Sequence, residues 1–261
     1  MKIVTRNVNW IRAIVKKWFV EIVNSFNADI ICLQETKAFL HQMPIEINTL
    51  EHKHICWHTG KRAGYAGTAI LAKEKFVTTC NNHEHSNMFH EDGRITEVEL
   101  NNKVLLINGY FPNGWTRADG TEMLSYKLRF YDELESYILQ KKAEWYEIIL
   151  TWDMNIVHTE IDIARPDANK KSIWFLPVER KRIWDFMNKC GLSDMFRYYH
   201  PHMVDEYTRW SYRGWARDRN VGRRIDYFMV SAWLLNHVTS FRHRQDIMWS
   251  DHCPVELELD I

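Results

Sequence analysis

The sequence carries no net charge: 34 lysines and arginines meet 34 aspartates and glutamates over 261 residues. Total charge therefore gives no sign of a nucleic-acid partner. No apolar run comes near the roughly 18 residues that a membrane-spanning helix needs. The first six residues, Met1-Lys2-Ile3-Val4-Thr5-Arg6, are too polar for a secretory signal. Cysteine is sparse and unpatterned, since Cys32, Cys56, Cys80, Cys190 and Cys253 form no CxxC pair and are odd in number. That argues against a zinc or disulfide framework and leads to the expectation of reduced thiols in a cytosolic setting. No repeat, linker or low-complexity segment stands out. Glycine is also short, at 10 residues where about 7% of a chain is usual, and the normally rare tryptophan outnumbers it at 12.

What is present is an ordinary soluble composition, 46% apolar and 26% charged, at a length that fits one large domain. The charge is unevenly spread: Arg165 to Arg224 holds 14 lysines and arginines against 7 acids, a basic face that could follow a phosphate backbone or simply be solvated. Strands are expected at Lys2 to Val8, Asp29 to Gln34, Ile55 to Trp57, Thr68 to Ala72, Ile95 to Leu100, Val104 to Asn108, Ile148 to Asp153, Ile225 to Ser231 and Val255 to Leu259. Asn101-Asn102 reads as a hairpin turn. Helices are expected at Ala13 to Phe26, Glu122 to Lys141 and Pro177 to Cys190, the last opened by proline and stopped by Gly191. The stretches 165–174 and 209–224 read as loops. Many strands mixed with a few helices and no boundary predict a single α/β domain over residues 1–261, built on packed sheets.

Hydrophilic residues gather where those strands end: Asn7 with Asn9, Glu35, Asp153 with Asn155, Asp226, and the pair Asp251-His252. One acid at a strand end is more often a cap or turn former, but five such places on non-adjacent strands are harder to dismiss. Oxygen ligands of this kind suit Mg²⁺, which takes one or two carboxylates and keeps its waters for a substrate phosphate. A histidine beside acids suits a polarised catalytic group whose tautomer a carboxylate fixes. Tyr110 and Asn113 follow another strand and could add donors near a developing phosphate charge. His83, His85 and His90 lie in a polar stretch and read as solvent-facing rather than as a zinc site.

Taken in order, the segments resemble the exonuclease III / apurinic-apyrimidinic (AP) endonuclease family of the endonuclease/exonuclease/phosphatase superfamily. The resemblance spans nearly the whole chain. It rests on NVN at Asn7 to Asn9, LQETK at Leu33 to Lys37, NGYFPNG at Asn108 to Gly114, and DMN at Asp153 to Asn155. It continues through EIDIARP at Glu160 to Pro166, FLPVER at Phe175 to Arg180, RIDYF at Arg224 to Phe228 and SDHCPV at Ser250 to Val255.

The resemblance implies a four-layer α/β sandwich, two packed mixed sheets flanked by helices, with the site at one edge. It implies a metal, Mg²⁺ with Mn²⁺ as the alternative, bound at Glu35 with Asn7, Asn9 and Asp251 close by and Asp153, Asn155 and His252 in the same neighbourhood. Asp226 would orient His252 and Asp153 would align or deprotonate water. Tyr110, Asn113 and Asn155 would hold phosphate oxygens. Arg12, Lys127, Arg213, Arg217 and Asn220 would meet DNA, and Arg209, Arg223 and Ile225 would line a pocket for an abasic sugar. The implied partner is double-stranded DNA with abasic sites, cut by a monomer in the bacterial cytoplasm, at the nucleoid and away from membranes. The reaction would be hydrolysis 5′ to the abasic site, leaving a 3′-hydroxyl, with 3′-5′ exonuclease or 3′-phosphodiesterase activity beside it. Two alternatives stay open: a nuclease of the same fold with another lesion preference, such as uracil-containing DNA, or a catalytically impaired DNA-binding relative.

The departures from the family fall into two sets. Tryptophan stands where the family has glycine at Trp10, Trp152, Trp174 and Trp249, and Trp18 and Trp215 go with them, with Trp115, Trp145 and Trp233 less clear. Arginine stands where the family has tryptophan or another aromatic at Arg6, Arg209 and Arg223, with Arg182 a candidate fourth. Near-neutral drift should not repeat two exchanges in otherwise intact motifs. A gene in which UGA encodes glycine, read with a table that gives tryptophan, would produce the first set; CGA or CGG reassigned from arginine to tryptophan would produce the second. UGG codons at 10, 152 and 249 would contradict this.

Overall fold

The computed structural model describes residues 1–77 and 91–261. Its strands are β1 Lys2–Asn7, β2 Ile30–Gln34, β3 His54–His58, β4 Thr68–Ala72, β5 Ile95–Leu100, β6 Val104–Tyr110, β7 Glu147–Asp153, β8 Leu192–Asp194, β9 Arg209–Trp210, β10 Gly222–Arg223, β11 Asp226–Ser231, β12 Val238–His243 and β13 Val255–Leu259. Its α-helices are α1 Ile11–Ile14, α2 Phe19–Phe26, α3 Leu124–Ala143, α4 Pro166–Asn169, α5 Pro177–Cys190 and α6 Met195–Tyr199. Among the described residues the strands form one sheet ordered β12-β13-β1-β2-β4-β3, another ordered β5-β6-β7-β11-β8, and a two-stranded ribbon of β9 and β10.

Strands buried on both faces explain the layers. In β2, Ile30 and Cys32 enter one apolar cluster while Ile31 and Leu33 enter another; in β7, Ile149 faces one way and Ile148, Leu150 and Trp152 the other. Because successive side chains alternate, each sheet gives one face to the other sheet and one to helices. The shared cluster lies between the sheets, with Ile3, Ile70, Leu106, Phe228 and Leu257 in it. Phe19, Val23 and Phe26 of α2 cover the outer face of the first sheet. Phe130, Tyr131, Leu134 and Ile138 of α3, with Ile183 and Phe186 of α5, cover the outer face of the second. The apolar positions of α3 recur at helical spacing, which is why a single face of it is buried. Two mixed sheets flanked by helices is the architecture expected.

Strand direction then places the site. β1 pairs with β2, and β6 with β7, in parallel, so these four strands end at the same edge, where α/β proteins gather functional groups. Within the second sheet the register sets Tyr110 beside Asp153 and Asp153 beside Asp226. A polar bolt joins the sheets just beneath: the Gln34 amide donates to Asn108 Oδ1 at 2.6 Å, and the Asn108 amide donates to the Leu33 and Ala69 carbonyls at 3.1 and 2.9 Å.

Several elements differ from the expectations. The helix read over Ala13 to Phe26 is broken in two, because Trp18 takes a left-handed conformation at the start of α2. The stretch 165–174 contains α4, and 209–224 contains the β9–β10 ribbon. β8, α6 and the edge strand β12 were not expected. Cys32, Cys190 and Cys253 are buried free thiols; Cys56 is disulfide-bonded, against the expectation of reduced cysteines. His83, His85 and His90 lie outside the described residues. Among the described residues no helix is long and apolar enough to cross a membrane.

Candidate active site

At the shared edge, Asn7 stands between two carboxylates. Its Nδ2 donates to Glu35 Oε1 and to Asp153 Oδ2, both at 2.8 Å. Glu35 follows β2 in a left-handed turn at φ 53°. Asp153 ends β7, where its Oδ1 accepts the backbone N–H of Asn155 at 3.0 Å. Asn155 in turn donates its amide to the Phe111 carbonyl at 3.0 Å.

His252 faces this group. Its Nδ1 lies 2.8 and 3.0 Å from the two Asp226 oxygens, and its Nε2 lies 3.9 Å from Asp153 Oδ2. Thr208, which nothing in the sequence marks out, latches Asp226: its hydroxyl donates to Oδ2 at 2.6 Å and accepts the backbone N–H groups of Ile225 and Asp226 at 3.1 Å each. The loop before β13 supplies Asp251, whose Oδ1 accepts from Asn9 Nδ2 at 3.2 Å. Tyr110 is buried beside Asp153, its partner in the β6–β7 register.

The electrostatics follow from this crowding. Burial, together with the neighbouring Asp226 and Glu35 charges, pushes Asp153 up to about 7 even though His252 opposes it. Burial alone would lower His252, but the Asp226 carboxylate outweighs it and raises the imidazole to about 9. Burial and the Glu35 and Asp153 charges raise Tyr110 well above its ordinary value, so its hydroxyl stays protonated. Glu35 is held below the usual carboxylate range because Lys37 and Asn7 outweigh its burial.

The donor set fits a hard divalent cation. The Lys37 ammonium already sits as a stand-in charge, 2.6 Å from Glu35 Oε2 and 2.8 Å from Asn9 Oδ1. Asp251 lies one hydrogen bond further on, and all these oxygens are the kind that Mg²⁺ takes. A second trio, Asp153, Asp226 and His252, has ligand atoms within 4.8 Å of one another. There, however, an ion would have to compete with the bonds that His252 and Thr208 make to Asp226, so Glu35 is the better anchor.

The other residues singled out from sequence scatter. Arg12 is exposed, with its guanidinium 5.4 Å from the Trp10 ring, and Arg213 is exposed. Asn113 is exposed and accepts the N–H of Trp115. Three expected DNA contacts are turned inward instead. Lys127 is fully buried, 2.6 Å from Glu179 and 2.7 Å from the Asn155 carbonyl, because α3 lays it against α5. Arg217 donates to the Ser250, Gln245 and Ile247 carbonyls and covers Trp210. Asn220 binds the Trp210 indole and the Asp205 carbonyl. Of the expected pocket wall, Ile225 is buried among Val157, Ile163 and Phe175, Arg209 pairs with Asp251 at 3.2 Å, and Arg223 is half-buried with its guanidinium 4.0 Å from the Trp174 ring.

The candidate recoded arginines divide. Arg182 bridges Asp132 and Glu135 at 2.8 Å each and Arg209 pairs with Asp251 at 3.2 Å, so both have carboxylate partners. Arg6 and Arg223 each leave a buried Nε without a partner, and burial depresses them to about 10 and about 9.

A carboxylate that can take a proton near neutral pH, set against a cationic imidazole and an oxygen-rich cation site, is chemistry for splitting a phosphodiester with water. The chain is a phosphodiester hydrolase. Residues 7–252 match the model of the Endonuclease/Exonuclease/phosphatase family, and the chain belongs to that family. It is 37% identical over 268 residues to an exodeoxyribonuclease of Bacillus subtilis (strain 168), covering 100% of both chains. It is 35% identical over 273 residues to a DNA-(apurinic or apyrimidinic site) endonuclease of Dictyostelium discoideum, covering 100% of this chain and 71% of that one. In fold it matches the structure of an AP endonuclease from Archaeoglobus fulgidus with a TM-score of 0.84, 24% identity and full coverage of both chains. The family read from the motifs is therefore the right one.

Proposed function

We propose that the chain is a Mg²⁺-dependent DNA repair enzyme that hydrolyses the phosphodiester 5′ to an abasic site and leaves a 3′-hydroxyl. Trimming of 3′ ends as an exonuclease or phosphodiesterase would accompany this. In this reading it works as a monomer, a single domain over residues 1–261, on abasic double-stranded DNA at the bacterial nucleoid in the cytoplasm. The observation that carries the proposal is the placement of Asp153 between Asn7 and His252, in a chain 37% identical to an exodeoxyribonuclease.

The residues divide the work. Asp153, pushed up to about 7, takes the proton of the attacking water, while Asn7 keeps its carboxylate aimed. His252, held cationic by Asp226, steadies the negative charge that grows on the phosphate oxygens. Tyr110, kept protonated, donates a hydrogen bond to the phosphate. Glu35, with Asn9 and Asp251, would hold Mg²⁺ or Mn²⁺, which when bound supplies charge neutralisation at the phosphate.

The test is incision of a duplex bearing one abasic site, beside undamaged and uracil-containing duplexes, with and without EDTA. An internal cut at the abasic site with no internal cut in the other two duplexes, abolished by EDTA and lowered at least about 100-fold in Glu35→Ala and His252→Ala, is the expected result. Preferred cutting at uracil would transfer the assignment to another lesion, and binding without a cut would make the chain a non-catalytic relative.

A further inference from the structure

Six of the 12 tryptophans have positive φ: Trp10 at 93°, Trp18 at 64°, Trp145 at 66°, Trp174 at 84°, Trp215 at 53° and Trp249 at 81°. Among the described residues every other non-glycine residue with positive φ, from Asn9 at 42° to Asn102 and Asp205 at 60°, stops at or below 60°. Above that value only glycine and tryptophan occur, and the glycines span the same range, 58° to 88°. For a bulky L-residue this region is a steric outlier, and only glycine enters it freely.

The local roles are those of glycine too. Trp145 follows the end of α3, its N–H donating to Lys142 O at 3.0 Å and the next N–H, of Tyr146, to Lys141 O at 3.1 Å. That is a left-handed helix stop, and at the end of α5 the same left-handed position is filled by Gly191. Trp10 and Trp18 precede α1 and α2. The side chains gain little from these positions: Trp10, Trp18, Trp145, Trp215 and Trp249 are 45% to 86% exposed, where a tryptophan is normally well buried. The buried Trp174 indole N–H has no partner. Trp57 and Trp210 behave differently. Both are buried, with indole N–H groups donated to Ala38 O at 2.9 Å and Asn220 Oδ1 at 3.0 Å, and neither has positive φ.

We infer that positions 10, 18, 145, 174, 215 and 249 are glycine in the protein made by the cells that carry this gene, through a UGA codon that those cells read as glycine. One reassigned codon accounts for all six, and the inference does not depend on the proposed activity. It bears on the active site nonetheless. Trp10 and Trp249 flank Asn9 and Ser250-Asp251, and Trp174 lies against Arg223. With glycine at these positions three indoles are removed from beside those residues. Trp152 is extended rather than left-handed, so the backbone argument does not reach it; its buried indole N–H also lacks a partner.

The deciding experiment is peptide mass spectrometry of the protein isolated from those cells. Glycine at the six positions, with tryptophan kept at 57 and 210, is the expected reading; tryptophan at any of the six overturns the inference. A second readout needs no native source. The chain as written and its six-glycine form are compared by thermal unfolding, with Trp57→Gly as the control. The six-glycine form should melt roughly 10 °C higher or more, and the control should melt lower. A chain that folds only with the six glycines supports the inference as well. An unchanged or lower midpoint in the six-glycine form contradicts it.

Discussion

Tyr110 owes its position to a residue that no strand-end pattern reveals. The buried Arg94 guanidinium donates to the Tyr110 carbonyl at 3.1 Å and to Asp92 at 2.9 Å, and its carbon lies 5.2 Å from the Tyr110 ring. Three directions of contact need a planar fork, which lysine lacks. Arg94→Lys is therefore expected to keep the fold, judged by near-UV circular dichroism, while kcat on an abasic duplex falls roughly tenfold or more and KM changes little. An unchanged kcat would show that Tyr110 does not depend on Arg94. The residues that were legible share a feature: Asn7, Glu35, Asp153, Asp226 and His252 are polar at or next to the start or end of an apolar strand. Thr208 and Arg94 were not legible because their importance lies in what they touch, across 18 and 16 residues of sequence respectively.

Between elements, the clearest misreading concerns charge. Lys127 was expected at DNA, yet α3 and α5 close over it and Glu179 so that neither side chain is exposed. A sequence shows a lysine but not whether its partner is a phosphate or a glutamate 52 residues away. Removing one member of a buried pair strands the other, so Lys127→Met should cost about 3–5 kcal/mol in urea unfolding. It should leave the salt dependence of DNA binding unchanged, whereas loss of a true phosphate contact would reduce the salt slope by about 1. The missed elements have equally physical reasons. β12 is an edge strand with little of it buried, β8 has three residues, and the single helix read before β2 breaks where Trp18 turns left-handed. The layers themselves were legible, because β2, β6 and β7 are apolar on both faces and only a strand between two packed layers can be.

At the scale of the whole molecule, a buried charge network ties the second sheet to the loops around the cleft. Arg224 reaches Asp162 at 2.8 Å and Asp194 at 2.7 Å, and Arg197 also pairs with Asp162. These arginines outweigh the burial of Asp162 and hold it well below the usual carboxylate range. A depressed folded pKa means that the stabilisation is complete above the unfolded value of about 4 and is lost as pH falls below it. Chemical denaturation between pH 7 and pH 3 should show stability falling at the acid end, and Arg224→Met should be less stable at pH 7 by about 3–5 kcal/mol. A mutant no less stable than the parent at pH 7 would show that the network does not stabilise the fold.

In the proposed reaction, water aligned by Asp153 breaks the phosphodiester 5′ to an abasic site. This is tested most directly by identifying the ends left on an abasic duplex in Mg²⁺ by the chain as written and by its six-glycine form. A 3′-hydroxyl on one side and a 5′-deoxyribose phosphate on the other are expected, with the product lost in Asp153→Asn. A 3′-unsaturated aldehyde, the mark of elimination rather than hydrolysis, or no cleavage by either form, would contradict it.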